Sequence, residues 1–225
     1  MTAPALAELE ARLIHCTACP RLVAWRERVA REKRAAYRDQ TYWGRPVPGF
    51  GDPQARLVIL GLAPGAHGSN RTGRVFTGDD SGHFLFSALY RAGFASQPKS
   101  VSRDDGLTLT DCRILSPVRC APPDNKPTPE EFRTCRPWFE AELGLLPRRR
   151  VTLVQGHLAH AAFLRSMGLR AALYPFAHGA EHPLPDGTWL LCTYHVSRQN
   201  TQTGRLTPAM FDAVLARARV LMELA

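Results

Sequence analysis

The chain has 225 residues, 44% of them hydrophobic and 22% charged, which is the balance of an ordinary globular protein. No apolar run approaches the roughly 20 residues needed to cross a bilayer, so we expect no membrane span. The formal charge is +9, with 29 lysine and arginine residues against 20 acidic ones. A basic excess indicates a polyanionic partner, nucleic acid first, although many basic proteins have other partners.

The first 35 residues predict two helices, at 1–13 and 17–35. The first is short and amphipathic and lacks the apolar core of a signal peptide, so we expect a cytoplasmic protein. Six cysteines in a reducing compartment are better read as metal-binding, catalytic or buried residues than as three disulfides.

The rest of the chain alternates between strand and helix patterns. Apolar runs that predict buried strands lie at 56–63, 112–118, 151–155 and 189–193. Helical patterns lie at about 80–93, 129–143, 157–167 and 207–223. This alternation is typical of an α/β protein with a parallel sheet covered by helices on both faces.

Polar loops follow the predicted strands, where ligands of such sheets bind. The first loop runs over 61–82, the second over 119–127, the third over 156–157 and the fourth over 194–200. Polar loops are common in α/β proteins, but several of them at one edge of a sheet favour a composite site.

The first loop does not match a known phosphate-binding motif. No Gly-Lys-Ser/Thr follows its glycines, so it lacks the lysine and magnesium ligand of a nucleoside triphosphatase. Its glycines would instead let the backbone lie against a flat ligand. Phe76 would either stack on that ligand or belong to the core. Asp79 or Asp80 would either cap the following helix or orient water and stabilise a cationic transition state.

Two further side chains suit base recognition. Asn125, between Pro123 and Pro127, offers an amide that matches the edge of a base, unless it is only a turn residue. His195 directly follows a strand and would donate to a leaving group that gains negative charge, unless it is structural. The polar row 197–201 suits contact with phosphates or insertion into a groove.

The cysteines divide into two groups. Cys16 and Cys19 form a C-x-x-C motif, and with Cys120 and Cys135 they would make a four-thiolate site for zinc or an iron–sulfur cluster. The remaining two, Cys112 and Cys192, fall in predicted strands and are read as buried small residues. No H-x-E motif is present, which excludes a zinc deaminase.

Two segments resemble the family 5 uracil-DNA glycosylases. They are GLAPGAHGSNRTGRVFTGDDSG at 61–82 and HVSRQN at 195–200, and matching elements extend over about 14–213. The resemblance implies a three-layer α/β/α sandwich around a four-stranded parallel sheet. It also implies hydrolysis of the N-glycosidic bond of uracil, hypoxanthine, xanthine or modified pyrimidines in DNA during base excision repair. Leu62 stands where the related family 4 has glutamate, which favours family 5.

The resemblance also assigns site residues. It implies that catalysis rests on Asp79, His195 and Asn125. The residues that would form the base pocket are Gly61, Leu62, Ala63, Gly65 and Phe76. Those expected to contact DNA are Arg71, Arg74, Ser197, Arg198, Gln199 and Asn200. The four cysteines that would bind a structural [4Fe–4S] cluster are Cys16, Cys19, Cys120 and Cys135.

One departure from the family pattern is Asp80, which follows the catalytic position where a small residue is frequent. It either changes the pKa of Asp79 or caps the helix.

The resulting prediction is a single domain over 1–225. Its N-terminal helical segment, about 4–35, would be tied in by the cluster. We expect a nucleoid-associated monomer that acts on double- and single-stranded DNA. The alternatives are a non-catalytic nucleic-acid-binding module with structural zinc and an iron–sulfur redox enzyme.

Overall fold

A computed structural model describes residues 2–224 and has a six-stranded sheet at its centre. The strands are β1 (Phe50–Gly51), β2 (Leu57–Leu60), β3 (Cys112–Leu115), β4 (Val151–Gln155), β5 (Glu181–Pro183) and β6 (Trp189–Thr193). Their order is β1-β3-β2-β4-β6-β5. The four middle strands are parallel, as predicted, while the short edge strands β1 and β5 are antiparallel and were not predicted.

The parallel strands are aligned so that their carboxyl ends lie at one edge of the sheet. Leu57 pairs with both Cys112 and Val151, and Val151 pairs with Trp189. β2 and β3 end three residues earlier than predicted, at Leu60 and Leu115. Prolines at positions 64 and 117 lack the N–H that a longer ladder would need, so the residues after the strands are free to form the site.

Helices cover both faces of the sheet, which confirms the α/β/α sandwich. The helices are α1 (Thr2–Leu13), α2 (Pro20–Glu32), α3 (Ser69–Thr72), α4 (Asp80–Arg91), α5 (Pro129–Gly144), α6 (His157–Ser166), α7 (Arg198–Gln202) and α8 (Pro208–Leu224). Ile59 of β2 packs with α4 and α8, whereas its neighbour Val58 packs with α1, α5 and α6. Within residues 2–224 there is no helix long and apolar enough to span a membrane.

The N-terminal segment packs on the sandwich through two buried leucines. Leu6 of α1 joins the cluster under α5 and α6. Leu22 of α2 packs instead with Val118 and Cys120, which follow β3. The predicted helices 1–13 and 17–35 are therefore confirmed apart from their ends, with Met1 outside the described residues.

A fully buried carboxylate joins the N-terminal segment to the sheet. Glu142 of α5 forms ion pairs of 2.7 Å with Arg113 of β3 and 2.6 Å with Arg119 beyond that strand. Arg113 also pairs with Glu10 of α1 at 2.5 Å. Gly49 is required at this point because a Cβ there would overlap with the Glu142 carboxylate. Burial alone would raise the pKa of Glu142, but Arg119 and Arg113 outweigh it and hold that pKa below its ordinary value.

Replacing Glu142 by glutamine will destabilise the fold by about 3–5 kcal/mol, since two buried arginines lose their shared anion. Urea unfolding measures this change. The stabilisation in the parent protein is present above the ordinary carboxyl pKa of 4.5 and is lost as pH falls through the lowered value.

The matched control is Glu140→Gln, an exposed glutamate on the same helix, which will change stability by less than about 0.5 kcal/mol. Equal effects of the two substitutions would show that the buried ion pairs do not hold the fold.

Candidate active site

The loops that follow β2, β3 and β6 enclose one cavity of about 640 Å³ at the carboxyl edge of the sheet. Most of the residues predicted for the site line it. They are Leu62, Ala63, Gly65, Phe76, Asp79, Asn125, His195, Ser197, Arg198 and Gln199. The composite site expected from the loop pattern is therefore assembled by the fold.

Asp79 is the N-cap of α4 and also lines the cavity, so capping the helix does not exclude a second role for it in the cavity. Its Oδ1 accepts a hydrogen bond from the Gly82 N–H at 2.9 Å. Its Oδ2 lies against the backbone of the first loop, where a Cβ at Gly68 would overlap with it and one at Gly65 would stand 3.2 Å away. The glycines of this loop thus make room for a carboxylate as well as for a ligand.

The environment of Asp79 raises its pKa. Burial is the main cause, the Gly82 hydrogen bond opposes it, and the charge of Asp80 adds to it. Asp80 is exposed and is the first residue inside α4, so the alternative that it caps the helix is wrong. Its influence on Asp79 is electrostatic.

Phe76 serves the core and the cavity at once. Its backbone is left-handed, with φ of 50°, and its ring is almost fully buried. The ring lies directly on Gly61, where a Cβ would be 2.7 Å from two of its atoms. The ring centroid is 6.1 Å from that of His195. Gly61 does not line the cavity itself but seats the ring that does.

His195 is half-buried at the end of β6. Burial lowers the pKa of its imidazole to about 4, so the ring is neutral at physiological pH. Asn200 donates from Nδ2 to the His195 carbonyl oxygen at 2.8 Å, and Ser197 caps the short helix α7. Ser197 and Asn200 were predicted to contact DNA. In the structure both also make hydrogen bonds within the protein that shape the loop carrying His195.

Asn125 projects from the tight turn Pro123–Asn125 that follows Pro122. Both Asp124 and Asn125 have left-handed backbones there, with φ of 52° and 55°. Asn125 is exposed and lines the cavity. The alternative that it is a turn residue is correct, and the turn is what presents the amide to the cavity.

Arg71 and Arg74 are buried, which corrects their assignment as DNA contacts. The Arg71 guanidinium donates to the carbonyl oxygens of His67 and Gly78, each at 2.7 Å. Arg74 pairs with Asp105 at 2.6 Å and is 3% exposed. Both arginines use their donors to fix the first loop, and little of either remains for a phosphate.

Arg198 and Gln199 are the exposed members of the second motif, at the mouth of the cavity. The Arg198 Nε lies 3.7 Å from the Asp80 carboxylate, and both side chains are well exposed. Such an open ion pair contributes little stability, so Arg198 remains available to another anion.

Several cavity residues were not assigned to the site by the sequence analysis. Those with side chains able to act on a ligand include Arg34, Tyr37, His67 and Ser116. Ser116 is the first residue beyond β3 and was hidden because the strand was predicted to run to Val118. His67 could have been found from the sequence, because it is a titratable residue inside the glycine-rich first motif. Arg34 and Tyr37 come from the N-terminal segment, which only tertiary packing brings to the site.

The four cysteines predicted as ligands surround a second, small cavity between α2 and α5. Burial raises the pKa of the Cys120 thiol to about 11 and that of Cys135 to about 12. The Arg26 guanidinium donates to the Cys120 Sγ at 2.9 Å, and the Arg119 N–H to the Cys135 Sγ at 3.3 Å. No group of three or more histidine, cysteine or acidic residues within 2–224 is arranged to hold a single metal ion. The other two cysteines are buried in strands, as predicted.

Comparison with known proteins assigns the family. The family model of the uracil DNA glycosylase superfamily matches residues 48–219, which include both motifs and all four central strands. The chain is 59% identical over 212 residues to the type-5 uracil-DNA glycosylase of Thermus thermophilus, covering 94% of this chain and 96% of that protein. The chain belongs to the type-5 uracil-DNA glycosylases.

Other members of the superfamily are similar to different degrees. The type-5 uracil-DNA glycosylase of Mycobacterium leprae is 52% identical over 97% of this chain and 96% of its own. A type-4 uracil-DNA glycosylase of Pyrobaculum aerophilum is 34% identical over 58% of this chain and 59% of its own. The greater identity and coverage agree with family 5 rather than family 4.

Replacing Asp80 by asparagine will lower the pKa of Asp79, since it removes a like charge that raises it. Carboxyl-carbon NMR of protein labelled in its aspartates follows the titration. The control Asp104→Asn changes an exposed loop aspartate and will leave the Asp79 curve in place. An unchanged curve in the Asp80 variant would remove Asp80 from the electrostatics of the site.

Proposed function

We propose that this protein excises uracil from DNA by hydrolysing the N-glycosidic bond. The observation that carries the proposal is that Asp79 and His195 line one cavity. Asp79 brings a carboxyl group, and His195 brings a neutral imidazole that can donate a hydrogen bond. Glycosidic cleavage develops positive charge on the sugar and negative charge on the base. Asp79 would stabilise the positive charge on the sugar, and His195 would stabilise the negative charge on the base.

The base would lie between His195, Asn125 and Phe76. A neutral imidazole carries one N–H, and in a partly buried site this donor stabilises negative charge on a base oxygen without first losing a proton. The Asn125 amide offers a donor and an acceptor to the base edge, and the Phe76 ring offers a stacking face. Leu62 and Ala63 would close the pocket through the loop backbone.

Asp79 would act on the sugar side, with its carboxylate steadying the cationic sugar and orienting the attacking water. This role needs the ionised form. Because burial raises the pKa of Asp79, the rate will fall as the medium becomes acidic and the carboxyl group takes up a proton.

Access to the base requires flipping it out of the stack, at a cost of a few kcal/mol. Arg198 and Gln199 project at the mouth of the cavity, where they would contact phosphates or fill the space left in the duplex. The net charge of +9 favours the approach to DNA. Already single-stranded DNA avoids part of the flipping cost, so we include both forms as substrates.

The wider proposal covers further bases and the cellular setting. A cavity of about 640 Å³ offers room for hypoxanthine, xanthine and modified pyrimidines as well as for uracil. We propose that the enzyme works as a monomer in base excision repair, in the cytoplasm and at the nucleoid.

We further propose that Cys16, Cys19, Cys120 and Cys135 bind a structural [4Fe–4S] cluster. Support comes from their position around one cavity, from the Arg26 charge beside Cys120, and from the backbone donor to Cys135. Buried thiols with raised pKa values become thiolates only with compensating positive charge, which the irons of a bound cluster would supply. The cluster would hold the N-terminal segment, and hydrolysis requires no electrons from it.

The rival functions make less use of the site. A non-catalytic nucleic-acid-binding module gains nothing from a carboxylate set in its binding cavity, since Asp79 repels phosphate. An iron–sulfur redox enzyme would need its substrate near the cysteines, yet they line a separate cavity.

Replacing Asp79 by asparagine will slow uracil release by about 10²–10⁴-fold while DNA affinity stays within a few fold. Single-turnover cleavage of a uracil-containing duplex, developed with alkali, measures the rate, and fluorescence anisotropy measures affinity. Asp104→Asn is the matched control. A variant that releases uracil at the parent rate would refute the role of Asp79, and a parent protein without release from any deaminated base would favour the binding module.

Anaerobically purified protein will be brown and contain about four irons and four sulfides. Cys135→Ala will lose most of this iron, whereas Cys192→Ala, at a buried cysteine within β6, will keep it. Metal and sulfide analysis distinguishes the outcomes. Colourless protein with stoichiometric zinc would replace the cluster by a zinc site.

A further inference from the structure

His67 lies in the cavity wall and has no task in the mechanism above. It directly precedes Gly68, whose backbone lies against the Asp79 carboxylate, so it stands near the group that would act on the sugar. Arg34 and Tyr37 line the same cavity, and Arg34 is close to His67 because the Tyr42 Oη contacts both residues. The base-recognising groups His195 and Asn125 come from other loops.

The contacts of His67 favour one position for its ring proton. Its Nδ1 lies 3.0 Å from the Oη of Tyr42, a nearly buried residue, and that oxygen also accepts from the Arg34 backbone N–H at 3.4 Å. Within residues 2–224, the Tyr42 hydroxyl proton has no acceptor other than His67 Nδ1. We assign this hydroxyl proton to the contact with Nδ1, which places the ring proton on Nε2.

The ring is held neutral as well as oriented. Burial is the main cause that lowers the pKa of His67, and the charges of Arg34 and Arg71 add to it. Arg71 is occupied by backbone carbonyls, whereas the Arg34 side chain is exposed at the cavity. His67 thus offers one oriented N–H beside one available guanidinium.

An N–H donor next to a guanidinium suits a phosphate oxygen. The nucleotide to be excised carries phosphates on its sugar, and this sugar must meet Asp79. A phosphate brought close to the Asp79 carboxylate is repelled by it, so a nearby cation and donor are needed to hold it in place. A base edge, unlike a phosphate, is not repelled in this way and would not require the Arg34 cation.

We propose that His67 Nε2–H and the Arg34 guanidinium bind a backbone phosphate flanking the flipped nucleotide, with Tyr42 as the positioning residue for His67. This inference rests on the proposed function for the identity of the substrate. It gives the end of the N-terminal segment and the residues after it a direct share in substrate binding, since Arg34 and Tyr42 both follow α2.

Neutral methylphosphonate linkages test the proposal. Duplexes with one methylphosphonate on either side of the uracil nucleotide are compared with the unmodified duplex, for both binding affinity and single-turnover excision. In the parent protein a methylphosphonate at one of the two positions will weaken binding by about 10–100-fold, which is the loss expected for one charge-assisted hydrogen bond. His67→Phe and Arg34→Met will bind the unmodified duplex more weakly and will lose much of this sensitivity.

Companion variants separate a contact from a folding defect. His67→Gln, which keeps an N–H donor, will retain part of the sensitivity, and Tyr42→Phe, which frees the ring, will lose part of it. Arg38→Met removes an exposed arginine outside the cavity lining and will behave as the parent. Far-ultraviolet circular dichroism checks that each variant is folded.

The outcomes are distinguishable from those of the proposed function. Full sensitivity in His67→Phe and Arg34→Met, or a parent protein insensitive at both positions, would overturn the phosphate contact even if uracil is excised normally. A different outcome is that the parent excises no uracil, although methylphosphonate weakens its binding and no longer weakens that of the His67→Phe and Arg34→Met variants. This outcome would support the phosphate contact and count against the glycosylase activity.

Discussion

The Glu142 carboxylate, buried between Arg113 and Arg119, is the contact on which the arrangement of the site depends. A lone buried charge is unfavourable, so each partner constrains the other two. Arg113 fixes β3 and reaches Glu10 of α1, while Arg119 leads into the loop that holds Cys120 and Asn125. One carboxylate thereby links the N-terminal segment, the sheet and one wall of the cavity.

Environment, rather than residue type, divides the chemistry between the two sides of the site. Burial raises the pKa of Asp79 and lowers that of His195, and in each case it favours the neutral form. For His195 the result is a neutral donor, suited to a base that becomes an anion. For Asp79 burial strengthens the effect of the charge once it is ionised, so in the proposed mechanism this one carboxylate would act strongly on a cationic sugar.

The sequence predicts the framework well because its signals are local. Apolar runs and helical periodicity identify the four parallel strands and the main helices. The polar loops after the strands make Asp79, Asn125 and His195 candidates, and only the family resemblance assigns them to the site. Arg71 and Arg74 were misassigned because an arginine in a motif has the same sequence signal whether it contacts DNA or its own loop. Arg34 was missed because its approach to the cavity depends on how the N-terminal segment docks.

The two antiparallel strands at the margins of the sheet have a consequence for the behaviour of the molecule in crowded solution. β1 has two residues, and β5 ends in a proline that has no N–H to offer. Within residues 2–224 the sheet therefore has no long, flat edge strand with which a second chain could pair. Self-association through cross-chain ladders, a hazard for open sheets, is disfavoured by the sheet's own boundaries.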